Sequence, residues 1–266
     1  MSALIKSYDS VFFDLDGVIY EGKTTLPNVV ESINWLYEHN YKIGYITNNA
    51  SRSPETVAEH LQELGIKAKP AEIITSPQVT INLLKEHLKP EDKVLVVGTD
   101  YLANLINEAG FRAIRTFQEG PDALIQGFNP KTSWQNLADA SYAVHAGAKW
   151  FACNADTTLP TEKGSAPGNG AMIKAVQMAT GKAPMIGGKP EAAIFEYAME
   201  KFGVKKPIMI GDRLDTDIEG GNNAKIDTAL VTTGINTKAD AETAIPEQKP
   251  TYVIKTLKDL VSETTS

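Results

Sequence analysis

Polar clusters stand where apolar runs stop, and their side chains are of the kinds that handle phosphate and divalent cations. The first is Phe12-Phe13-Asp14-Leu15-Asp16-Gly17. Two carboxylates this close repel unless a metal or a shared proton relieves them, so Asp14 and Asp16 suggest charge chemistry. The same residues would also make an ordinary Asp-Gly turn after a strand. The second cluster is Ile46-Thr47-Asn48-Asn49. Its hydroxyl, amides and turn N–H groups could hold phosphate oxygens, or cap a polar turn between strand and helix. In Gly187-Gly188-Lys189-Pro190, Lys189 precedes an expected helix start, where an ammonium and a helix amino terminus would both favour an anion. A lone surface lysine is the other reading. The last cluster, Gly211-Asp212-Arg213-Leu214-Asp215-Thr216-Asp217, crowds three carboxylates into six positions. Such oxygen-rich sets suit Mg2+. Capping of the next helix by Asp215 or Thr216 would account for one acid but not all three. The spacing leaves open whether Asp215 or Asp217 joins Asp212.

These residues need a scaffold that brings distant segments together. Residues 11–13, 41–47, 208–210, 228–231 and 252–254 read as short buried strands. Val29, Val30, Ile33 and Leu36 fall at helical spacing. Ser53 and Pro54 open a second helix that Gly65 closes. Pro190 is expected to open another, running through Phe195 and Phe202 to Gly203. Strand and helix alternate, which implies a parallel sheet with right-handed crossovers. Open sheets of this kind bind ligands at the carboxyl ends of their strands. Asp14, Asp16, Thr47, Lys189 and Asp212 would then meet at one edge.

The middle of the chain alternates too, with strands expected at 93–97, 111–114, 123–125 and 150–153. The polar clusters skip it. The expected architecture is therefore α/β: a doubly wound, Rossmann-like parallel core with a second α/β unit inserted. Residues 1–87 and 183–266 would form the core and 88–182 the insert.

The chain has 266 residues, with 26 basic and 33 acidic side chains and a formal charge of −7. It has no basic block to attract nucleic acid or an anionic membrane. An anionic substrate must be drawn by a local site or a bound cation. Cys153 is the single cysteine, so no internal disulfide forms, as suits a reducing compartment. It reads as a buried strand thiol and not as a nucleophile. Residues 1–10 lack the apolar core of a signal peptide, and no stretch approaches the roughly 20 apolar residues of a membrane span. A cytoplasmic location is expected. The histidines at 39, 60, 87 and 145 have no partner at metal-ligand spacing.

Asp-x-Asp-Gly, Thr-Asn, Lys and Gly-Asp-x-x-x-Thr-Asp, in that order, resemble the haloacid dehalogenase-like (HAD) superfamily. Thr47-Asn48-Asn49, Gly188-Lys189-Pro190, the long insert, Asn154-Ala155-Asp156 and Ala166-Pro167-Gly168-Asn169-Gly170 look like its NagD and p-nitrophenyl phosphatase branch. The resemblance covers nearly the whole chain. It implies an α/β cap inserted in a catalytic core, and a Mg2+-dependent phosphatase acting through an aspartyl-phosphate. Asp14 would be the nucleophile and Asp16 the acid and then the base. Asp14, the Asp16 carbonyl and Asp212 would hold Mg2+, with Asp217 in support. Thr47, Asn48 and Asn49 would bind the phosphoryl group, and Lys189 would neutralise it together with the nucleophile. The implied substrate is a small phosphorylated metabolite, a sugar phosphate or nucleoside monophosphate, with p-nitrophenyl phosphate as an artificial one. Asp156, Thr157 and Glu162 in the 154–170 segment are candidates for contacts to its hydroxyls; a structured loop with Asp156 as a turn residue is the alternative. Pairing of two copies through the cap is compatible with this branch. A phosphotransferase or phosphomutase on the same core, and a phosphate-binding regulator without turnover, are the competing readings.

Overall fold

The computed structural model describes residues 3–161 and 163–262. By backbone contacts it divides into two compact units. One holds the chain up to Thr47, Pro54–Ile74, and everything from Lys189 onward; the other holds Asn48–Ser53 and Thr75–Gly188. These divisions fall at 74/75 and 188/189, against the expected 87/88 and 182/183. The reason is the helix Ser76–His87, whose Ile81 and Leu84 join the apolar cluster of Val94, Val96, Ile125 and Phe151 in the second unit.

The first unit is built on a six-stranded sheet, ordered Tyr252–Ile254, Asp227–Val231, Pro207–Gly211, Ser10–Phe13, Lys42–Thr47 and Ile73–Thr75. From Tyr252–Ile254 through Lys42–Thr47, neighbours run parallel. The central strands are apolar at successive positions because both faces are covered, as parallel sheets require. One face carries Val11, Phe13, Ile43, Tyr45, Ile208, Ile210, Ala229 and Val231, packed with Val29, Ile33 and Leu36 of the helix Val29–Glu38 and Val57, Ala58 and Leu61 of Pro54–Glu63. The register matters for chemistry. Phe13 pairs with Ile210 on one side and Tyr45 on the other. Asp14, Gly211 and Ile46 therefore stand at one level along the sheet, with Asp212 and Thr47 one residue beyond.

The second unit has its own parallel five-stranded sheet, ordered Met185–Ile186, Lys149–Ala152, Ala123–Gln126, Lys93–Val97 and Arg112–Ile114. The helices Trp134–His145 and Asn169–Thr180 cover one face through Ala140, Val144, Ile173 and Val176. The architecture is thus the expected α/β core with an inserted α/β unit. Cys153 is buried here, and burial pushes its thiol up to about 12, which rules it out as a nucleophile near neutral pH. Among the described residues no helix is long and apolar enough to cross a membrane.

One helix differs from expectation. The helix after Lys189 begins at Ala193, because the chain first turns through residues 189–192, with a cis Lys189–Pro190 peptide. Lys189 therefore precedes the helix by four residues, and Pro190 does not open it as expected.

Ile210 is fully buried in the central strand that leads to Asp212. Ile210→Ala should lower unfolding free energy by about 2–5 kcal/mol and Ile210→Val by about 0.5–1.5 kcal/mol, read as a fall in the denaturant midpoint.

Candidate active site

The ammonium of Lys189 is the centre of the site. It donates to Asp14 Oδ1 at 2.5 Å, to Asp217 Oδ1 at 2.6 Å and to the Ile46 carbonyl at 3.2 Å. An ammonium has three hydrogens, and here each finds an acceptor. Lys189 is 2% exposed and Asp217 is fully buried. Burial alone would lower the lysine's pKa, but Asp14 and then Asp217 outweigh it, and its pKa lies above the ordinary lysine value.

Each acid is placed by a nearby backbone group. Asp14 donates its N–H to the Ile210 carbonyl at 2.9 Å, which continues the sheet by one step. Asp217 lies in a π-helical turn, Leu214–Ile218, and its second oxygen accepts from the Arg213 N–H at 3.1 Å. Asp215 leaves the cluster: Arg213 grips it from Nε at 3.0 Å and Nη2 at 2.8 Å. Asp212 Oδ2 accepts from the Ile235 N–H at 2.8 Å. The loop that supplies this donor follows the Asp227–Val231 strand, and it also holds Gly17, whose carbonyl accepts from Thr233 Oγ1 at 2.8 Å. A β-carbon on Gly17 or on Gly234 would run into the Asp212 carboxylate, and Gly17 has φ +79°. The chain passes this close to Asp212 only because both positions lack a side chain.

Sequence reasoning missed Thr233, Gly234 and Ile235. A polar turn after an apolar strand was the available signal, but the backbone donor that matters has no side chain to read. Of the expected residues, Asp16 is exposed in the turn before Tyr20. Thr47 is buried at the end of its strand, and Asn48 is buried in the second unit by contacts. Asn49 is exposed, and its side-chain oxygen closes a turn with the Ser51 N–H and hydroxyl at 2.8 and 2.7 Å.

The donor set fits a divalent cation. One oxygen each from Asp14, Asp212 and Asp217 lies within 4.8 Å of the others. Asp212 Oδ1 is buried and has no hydrogen-bond partner among the described residues, a costly state for a carboxylate unless something else binds it. Three carboxylates against one ammonium leave two negative charges uncompensated. Without a cation, burial and the charges of Asp217 and Asp212 hold the Asp14 carboxyl well above its usual range, against the pull of Lys189. Burial, then Asp217, pushes Asp212 up to about 7. Oxygen ligands of this hardness suit Mg2+.

Comparison with known proteins agrees. A family model described as haloacid dehalogenase-like hydrolase matches residues 11–112, and a HAD-hydrolase-like model matches 186–260. D-glycerol 3-phosphate phosphatase of Mycobacterium tuberculosis is 41% identical over 260 residues, covering 98% of this chain and 73% of that protein. An acid sugar phosphatase of Staphylococcus haemolyticus is 35% identical over 261 residues, 97% of each chain. The crystal structure of glycerol phosphate phosphatase from M. tuberculosis in complex with magnesium matches with a TM-score of 0.93 at 41% identity, over 99% of this chain and 80% of that one. The 4-nitrophenylphosphatase of Thermotoga maritima gives a TM-score of 0.89 at 30% identity, over 97% and 98%. The chain belongs to the haloacid dehalogenase-like hydrolases.

Binding of Mg2+ should be visible as stability. At a hundredfold excess over Kd a ligand adds about 2.7 kcal/mol, a rise in Tm of roughly 5–10 °C for a chain of this size. In the metal-free protein the Asp212 carboxyl titrates at about 7, whereas unfolded it titrates near 3.9. The folded state keeps that proton longer, so its contribution to stability is complete below about pH 4 and lost as pH rises through 7. Mg2+ competes with the proton, so the Tm rise it causes should be larger at about pH 8 than at about pH 5. Equal rises would remove Asp212 from the ligand set. Gly234→Ala should shrink the rise at both pH values by displacing the Asp212 carboxylate.

Proposed function

We propose that this chain is a Mg2+-dependent phosphatase that hydrolyses small phosphomonoesters through an aspartyl-phosphate on Asp14. The observation that carries this reading is the set of buried Asp212 and Asp217 and partly buried Asp14 around one lysine. A carboxylate that attacks a phosphate dianion meets like charge, and only positive charge fixed in advance brings the two together. Lys189 supplies part of it at Asp14. Asp14, Asp212 and the Asp16 carbonyl would hold the cation. Asp217, committed to Lys189 and the Arg213 N–H, would support them from behind. When bound, the cation neutralises charge that builds on the transferring phosphoryl group.

The steps follow from this reading. A carboxylate oxygen of Asp14 attacks phosphorus, the bond from phosphorus to the ester oxygen breaks, and that oxygen takes a proton from Asp16. Water next attacks the phosphorus of the aspartyl-phosphate, gives a proton to Asp16, and releases Asp14 and inorganic phosphate. Two modest barriers replace one high one. Exposure of Asp16 suits a group that trades protons with a leaving alcohol and with water. Thr47 and Asn48 would bind the phosphoryl oxygens, and Asn49 would order the turn that follows them.

The relatives named for glycerol phosphate and acid sugar phosphates support a polyol or sugar phosphate as substrate. The inserted unit would distinguish leaving groups; of its expected contacts, Thr157 is exposed and Glu162 lies outside the described residues. A lone buried thiol supports a cytoplasmic setting, and pairing of two copies through the insert belongs to the same reading.

Wild-type protein with Mg2+ should release inorganic phosphate from p-nitrophenyl phosphate and from glycerol or sugar phosphates, and Asp14→Asn should reduce the rate at least a thousandfold. Release of no phosphate from any ester, or equal rates for both proteins, would end the catalytic reading. Phosphate found on an acceptor alcohol would instead identify a transferase. Asp16→Asn should slow esters of poorly acidic alcohols far more than p-nitrophenyl phosphate, whose leaving group departs without a proton. A uniform loss in kcat/KM, which reports the first transfer and not the later hydrolysis, would deny Asp16 the role of acid.

A further inference from the structure

Asn48 is held by residues far from it in sequence, all within the second compact unit. Its Nδ2 donates to Asp156 Oδ1 at 2.9 Å. Its carbonyl accepts from Asn154 Nδ2 at 2.8 Å and from Ser76 Oγ at 3.0 Å. Asn154 is braced in turn: its Oδ1 accepts from the Asp156 N–H at 3.3 Å, and its carbonyl from Asn169 Nδ2 at 2.8 Å. The Asp156 carbonyl accepts from the Gly170 N–H at 2.8 Å. Close packing locks the arrangement. A β-carbon on Gly170 would strike the Ala155 carbonyl, and one on Gly188 would strike the Cys153 carbonyl and the Asn48 amide oxygen.

An amide has a donor end and an acceptor end that are nearly equal in shape, so packing alone does not choose between them. An ionised carboxylate only accepts. With Asp156 on one side, Asn48 must present its nitrogen there and its oxygen toward Gly188. We infer that Asp156 is a positioning residue that fixes the amide orientation of Asn48, and through it the grip on the phosphorylated substrate. This rests on the reading of Asn48 as a phosphoryl ligand. It departs from the sequence expectation that Asp156 touches substrate hydroxyls itself: the carboxylate acts on Asn48, and the Asn154–Asn169 bridge aims the carboxylate.

A double-mutant cycle tests this, with kcat/KM for p-nitrophenyl phosphate and Mg2+ as one readout. The second readout is the Tm rise given by saturating inorganic phosphate with Mg2+, which needs no turnover. Asp156→Ala should lower kcat/KM roughly 10- to 100-fold, the range for losing a hydrogen bond to a charged group, and should shrink the phosphate-induced Tm rise. In an Asn48→Ala background the same change should cost less than about threefold, since coupled residues are not additive. Asp156→Asn, whose oxygen can accept the same bond, should recover most of the activity, and Asp156→Leu should not. The Tm rise given by Mg2+ alone should persist in every variant, which shows that the first unit is folded. Equal losses with and without Asn48 would overturn the proposal in favour of direct contact between Asp156 and substrate. Loss with Asn48→Ala but none with Asp156→Ala would overturn it as well. Absence of turnover in the wild type would instead count against the phosphatase reading, and the phosphate-binding cycle would still decide the role of Asp156.

Discussion

The structure turns on the burial of one ammonium. Lys189 is removed from water and gives all three hydrogens to protein oxygens. Desolvating a lone charge costs several kcal/mol even after the protein relaxes, so the lysine is tolerable only with carboxylates beside it. Two carboxylates then overcompensate, and Asp212 adds a third. Each burial is acceptable only because of another, and the set closes at the charge of a divalent cation. With a divalent cation bound, removing any one charged member would leave the set unbalanced. The cluster therefore stands or fails as a unit.

That demand reaches into the fold. Lys189 touches Asp14 and Ile46, which stand at one level on adjacent strands, so a slip of either strand would break its contact with the lysine. A parallel sheet delivers such neighbours naturally, because all of its strand ends of one kind lie on one edge. Asp212 needs more than register. Its Oδ2 takes the Ile235 N–H, which leaves Oδ1 as the oxygen without a partner among the described residues. The glycines at 17 and 234 let two backbone segments approach it.

Much of this was legible in the sequence. Apolar runs that stop at Asp14, Thr47 and Asp212 gave both the strands and the edge at which they end. Spacing alone did not choose between Asp215 and Asp217, which follow Asp212 by three and five residues; only the family resemblance favoured Asp217. The chain settles it with a π-turn, in which the Ile218 N–H reaches back to the Arg213 carbonyl at 3.2 Å. That turn buries Asp217 and leaves Asp215 to Arg213. No hydrophobic period announces a single turn of this kind. The start of the helix after Lys189 was misplaced for a related reason: Pro190 is a plausible first helical residue, yet the turn that aims the lysine extends through it. The bond from Asn48 to Asp156 spans 108 residues, and no local spacing encodes it.

The same accounting separates chemistry from selection. Both oxygens of Asp217 are engaged inside the protein, as are the three hydrogens of Lys189 and one oxygen of Asp212. What these groups can offer a substrate is charge at a fixed place, and every phosphate ester presents the same charge there. Phosphoryl transfer asks for little beyond such placement and neutralisation. A side chain already committed on all sides cannot also report whether the leaving alcohol is a polyol, a sugar or a nucleoside, since discrimination requires a contact that one substrate makes and another lacks. The preference of this enzyme must therefore come from residues outside the buried set.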